Sequence, residues 1–157
     1  QLGTEVLCIE HYGYAGDQLV EKNERNLALL QQAWREGDRR PQVQFHLGRC
    51  LEISGDHPGA AIHYLAVMGT DSYFAEAAAA IWAGGAILRA EMGANMVMED
   101  LVVVQRGLKR FPQNPILLEA SRVLYLAIGQ LEFAKRATWL LSRAPRTWGG
   151  PNQIETF

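Results

Sequence analysis

The sequence is short of cysteine, of surplus charge and of long apolar runs, and each shortage removes a class of protein. Only Cys8 and Cys50 are present, too few for a disulfide framework, which favours a reducing compartment and hence the cytoplasm. Fifteen Lys and Arg are scattered among seventeen Asp and Glu. No basic stripe forms, so nucleic-acid binding is not expected. The longest apolar stretch, Phe74 to Leu88, is rich in Ala and Gly and broken by Glu76, which makes it too short and too weakly hydrophobic for a membrane span. Metal-ligand spacing is thin. Cys8 and His11 stand as C-x-x-H, but His57 and His63 are six apart, off the i,i+4 register of a helical ligand pair. Cys50 has no nearby His and Asp or Asn pattern to make it a nucleophile, and His46 beside an apolar face reads as a packed or part-exposed side chain.

What remains is helical periodicity. From Asp17 to Glu36 the residues Leu19, Val20, Leu27, Leu30 and Trp34 recur at helical spacing, giving a helix with one buried face. Gly37 supplies its cap, and Pro41 opens the next helix. Three helix pairs then follow: Pro41 to Ser54 and, after a tight turn at Gly55-Asp56-His57-Pro58, a helix carrying Ala60, Ala61, Tyr64 and Val67; Ala75 to Met92 with Val97 to Arg110; and Ile116 to Ile128 with Leu131 to Ser142. Each pair turns at a glycine, and Gly55, Gly93 and Gly129 stand 38 and then 36 residues apart. That period is near the ~34 residues of one helical-repeat class. In the middle pair Gly84 and Gly85 each cost about 1 kcal/mol relative to Ala within a helix. A close helix approach at these positions is the expected compensation.

The residues Leu47-Gly48 with Leu51, Ala60 and Tyr64, then Tyr125, Gly129 and Ala134 resemble the tetratricopeptide pattern, in which small residues let paired helices approach and an aromatic fills the gap beside them. Met98 departs from it, standing where the packing alanine belongs. The expected fold is an all-α right-handed superhelix of tetratricopeptide-like pairs, preceded by a short strand remnant, since Val6-Leu7-Cys8-Ile9 is an apolar run of strand length. The expected organisation is residues 1–14 as the end of a catalytic domain or a linker, 15–37 as a connecting amphipathic helix, 38–143 as the repeats and 144–157 as a tail. In that tail Trp148 is expected to cover the last helix pair.

A second resemblance concerns the first third. Glu5-Val6-Leu7-Cys8-Ile9-Glu10-His11-Tyr12-Gly13-Tyr14, Lys22 to Leu30, and Phe45-His46-Leu47-Gly48-Arg49 resemble the end of a bacterial family 2 glycosyltransferase catalytic domain and the region that follows it. The resemblance implies an upstream GT-A domain that transfers a sugar from a nucleotide-sugar donor with a divalent Mg or Mn ion. It casts this chain as a carboxy-terminal fragment, without a cofactor of its own. The Asp-x-Asp motif by which two carboxylates hold such a metal against a diphosphate does not occur in the sequence. By the same resemblance His11 faces the metal or diphosphate, with Tyr12 and Tyr14 on the acceptor side; the simpler expectation is that all three anchor the linker against the upstream domain.

The first helix of each pair is expected to line an interaction surface bearing Gln42, Phe45, Arg49, Glu52, Ala83, Ile87, Glu119, Val123 and Leu126, suited to an amphipathic helix or a second copy of the chain. The expected function is protein interaction or self-association, appended to a glycosyltransferase. The alternative is a free-standing scaffold that binds a peptide or helix and performs no sugar chemistry.

Overall fold

The computed structural model describes residues 2–145, with side chains from residue 16 onward. Its described residues form seven α-helices and no strand. These are α1 (Leu2–Arg35), α2 (Pro41–Ile53), α3 (His57–Met68), α4 (Phe74–Glu91), α5 (Val97–Arg110), α6 (Pro115–Ala127) and α7 (Leu131–Arg143). The expected strand at Val6 to Ile9 is corrected: these residues belong to α1, which continues without a break through residues 15–35. A lone strand leaves its amides and carbonyls unpaired, whereas a helix satisfies them within the segment. The bounds read from sequence for α2, α4, α5, α6 and α7 match to within a residue, while α3 begins at His57, inside the turn expected at residues 55–58. The tail residues 146–157, Trp148 among them, lie outside the described residues.

One turn chemistry recurs four times. Gly37, Gly55, Gly93 and Gly129 have φ of 95°, 84°, 72° and 74°, the left-handed region that a side chain disfavours. At Gly55 the amide donates to the Glu52 carbonyl at 3.0 Å and the next amide, of Asp56, to Leu51 at 2.9 Å. This paired closure is the Schellman motif, and the same two bonds close α1, α4 and α6.

Two compact units, Gln1–His63 and Tyr64–Phe157, divide the chain within α3. In the first, α1 packs on α2. Asn23, buried in the middle of α1, donates through Nδ2 to the Cys50 carbonyl and to Ser54 Oγ, both at 3.0 Å, and Ser54 Oγ donates in turn to the Cys50 carbonyl at 2.8 Å. The end of α2 is thereby fixed against α1. Near the end of α1, Trp34 meets the His63 ring edge-on at 4.9 Å and carries the Arg39 guanidinium 3.6 Å from its ring centre.

In the second unit α4, α5 and α6 pack on one another pairwise and α7 packs on α6. Ala75, Ala77 to Ala80, Ala83 and Ala86 are buried along α4, so its backbone runs close to its neighbours. At Gly84, one of the two glycines where a close approach was expected, a Cβ would meet nothing within 4 Å. The tight contact is at Gly107 of α5, where a Cβ would stand 2.8 Å from Leu117 Cδ2 and 3.3 Å from Ala79 Cβ. Met98 is exposed, and Leu101, Val103 and Val104 supply the buried face of α5. Asn114 caps α6 by accepting from the Ile116 and Leu117 amides at 3.0 and 3.2 Å, and its Nδ2 donates to Glu76 Oε1 at 3.0 Å. One side chain thus starts α6 and ties it to the first turn of α4.

Candidate functional site

Described residues of α1 and α2 line two concavities of the first unit. The larger, about 430 Å³, runs between α1 and α2 over the Asn23 contact, within the ~300–1,000 Å³ typical of ligand sites. Helical spacing brings Leu19, Leu29 and Leu30 of α1 to its floor beside Ile53 of α2. Leu19, Leu29 and Ile53 are 53%, 62% and 47% exposed, so this apolar surface is left open by the helices that carry it. Lys22, Arg49 and His46 supply the rim, and the described lining residues include no carboxylate.

The electrostatics of this groove are cationic. Burial, and then the charge of Arg49, hold the His46 imidazole below its ordinary value. Burial pushes the Cys50 thiol up, against a smaller opposing pull from Arg49. A thiol held protonated is a poor nucleophile, and Cys50 contributes to the wall of the groove rather than to chemistry. The smaller concavity, about 390 Å³, is lined by Trp34, Arg35, Leu47, Leu51 and His63 together with Gln31. Burial, and then Arg39, hold His63 below the usual histidine value. Its Nδ1 has no hydrogen-bond partner among the described residues.

Of the expected interaction surface, Gln42, Arg49 and Leu126 are exposed and Glu52, Ile87 and Val123 are half-buried. Glu119 is half-buried and ion-paired with Arg122. Phe45 and Ala83 are buried at 9% and 0% exposure, which removes them from any surface a partner reaches in this conformation. Only Arg49 also belongs to the larger groove. The backbones of His11, Tyr12 and Tyr14 are helical in α1, and their side chains lie outside the described ones. Among the described residues no three His, Cys, Asp or Glu side chains gather to hold a metal ion. The sequence contains no Asp-x-Asp.

The groove residues Lys22 and Asn23 were not singled out by periodicity, whereas Ile53 falls on the apolar pattern read for residues 41–54. Asn23 nevertheless falls on the stripe of Leu19, Leu27 and Leu30, and a polar residue on an apolar helix face marks a position that must find a hydrogen-bond partner.

The class these observations define is a protein whose described residues are all-helical, with four helix ends closed by one repeated motif and an open groove between the first two helices. No protein-family model, curated protein or solved structure matches the chain. Among the described residues no helix is long and apolar enough to cross a membrane.

Proposed function

We propose that this chain is a protein-interaction module built from tetratricopeptide-like helix pairs stacked in a right-handed sense. The observation that carries the reading is the recurrence of one pair design: Gly55, Gly93 and Gly129 close their pairs with the same two backbone bonds at near-constant spacing. The mutual packing of α4, α5 and α6 supports it, since each pair in a helical repeat stacks on the first helix of the next. So does the exposure of Leu126, Leu131, Phe133 and Trp139 on the last pair, apolar area suited to a protein contact. Self-association is the variant of this reading in which the partner is a second copy. A role beside a family 2 glycosyltransferase domain rests on the resemblance of residues 5–14, 22–30 and 45–49 alone, and a cytoplasmic location on the scarcity of cysteine.

Selection from a displayed library of helical peptides against the immobilised chain tests the reading, together with sedimentation over a wide concentration range. Recovery of a related set of peptides, or a reversible dimer, is the expected result. A chain that selects no related peptides and stays monomeric throughout would overturn it.

A further inference from the structure

The groove between α1 and α2 combines three features that together describe its occupant. Leu19, Leu29 and Ile53 form an apolar floor that stays open to solvent. Lys22 and Arg49 stand exposed at its rim. Among the described residues no carboxylate contributes to the lining, and neither Lys22 nor Arg49 has an ion-pair partner.

We propose that this groove docks an acidic amphipathic helix from another protein, its apolar side chains on the Leu19–Leu29–Ile53 floor and its carboxylates on Lys22 and Arg49. The inference rests on the interaction-module reading and adds to it a surface and a partner chemistry. A helix in a groove presents apolar anchors every three or four residues with polar residues between them. That spacing suits a concave floor flanked by charge. The Asn23 contact beneath, which locks α1 to α2, keeps the groove preformed and lowers the ordering cost of binding.

Two other occupants fit less well. A second copy of the chain meeting groove to groove about a two-fold axis would set Lys22 and Arg49 of one copy against the same two cations of the other, a like-charge contact that weakens association. A membrane surface calls for apolar side chains projecting from a helix face into the lipid, whereas this apolar area lines a concavity.

The test uses two fluorescein-labelled helical peptides of about 15 residues, each with leucines at i, i+3 and i+7. One carries glutamates between the leucines and the other lysines. Fluorescence anisotropy with the intact chain is expected to show binding of the glutamate peptide, weakened by added salt. The double variant Lys22→Glu/Arg49→Glu is expected to lose about tenfold in affinity for it and to gain affinity for the lysine peptide. Both substituted positions are exposed, and an unchanged far-UV circular dichroism spectrum confirms that the fold is retained. Leu29→Glu, which places a carboxylate on the floor, is expected to weaken the glutamate peptide independently.

Equal binding of both peptides, binding indifferent to the charge reversal, or no binding of either would overturn the proposal. So would a stronger association with phosphatidylserine vesicles that the glutamate peptide fails to displace. These failures are separable from failure of the module reading: peptides selected from a library that bind elsewhere on the chain would leave that reading standing.

Discussion

The guanidinium of Arg89 and the carboxylate of Asp100 form a two-point ion pair across the turn between α4 and α5. Nε donates to Oδ2 at 3.0 Å and Nη2 to Oδ1 at 2.7 Å. Asp100 is 1% exposed and Arg89 9%, with the Trp82 ring 4.6 Å from the guanidinium carbon. The cation lies in the last turn of α4 and the anion in the first turn of α5, where each is favoured by its own helix dipole. Removing one partner strands the other in the interior. Asp100→Ala is expected to cost about 3–5 kcal/mol, and Arg89→Met/Asp100→Leu much less than the sum of the single changes. Urea unfolding of the three variants measures this; additive losses would show that the pair is not acting as a unit.

Gly84 and Gly107 are both helical glycines, and their replacement by alanine is expected to move stability in opposite directions. At Gly84 the new methyl enters open space, so Gly84→Ala stabilises by about 0.5–1 kcal/mol through helix propensity. At Gly107 it meets Leu117 and Ala79, both buried. Overpacking of about 1–3 kcal/mol then exceeds the propensity gain. Thermal midpoints of the two variants should straddle that of the parent chain.

Asn114 joins a helix cap to a tie with Glu76, and two substitutions separate the roles. Asn114→Ala loses both and is expected to cost about 2 kcal/mol. Asn114→Asp keeps the cap acceptor but brings a carboxylate against Glu76. It should lose stability at neutral pH and regain it as the carboxylates protonate in acid. A pH-independent difference between Asn114→Asp and the parent would rule out the Glu76 contact as its cause.

His63 gives the stability a pH dependence. Free histidine titrates near 6.5, and burial and then Arg39 hold the folded value lower. Between the two values the unfolded chain binds a proton that the folded chain does not, so stability falls as pH drops through the ordinary histidine value. The fall ends once His63 itself protonates in the folded state. His46, depressed by burial and by Arg49, adds in the same direction. Urea midpoints measured from about pH 7.5 down to about 5.5 should decline, and His63→Gln should flatten the decline; an unaltered slope would place its origin elsewhere.

The sequence by itself determined the helices and the turns between their pairs. Gly55, Gly93 and Gly129 take positive φ because they lack a Cβ, and Pro41 and Pro115 start helices because proline fixes its own φ. These are properties of a few adjacent atoms, legible wherever the residue stands. Val6 to Ile9 show the limit of that reading, since an apolar run of four suits a strand or a helix equally, and helical continuity with the residues after it decides.

Only the tertiary structure decided that Gly107 and not Gly84 marks the close helix contact, that Phe45 and Ala83 are covered, and that Leu29 is left open at a groove flanked by Lys22 and Arg49. It alone showed that Asn23, Asp100 and Asn114 are buried with partners 11 to 38 positions away. Burial and charge environment are sums over neighbours that meet only when the helices pack, so no local pattern of residues contains them.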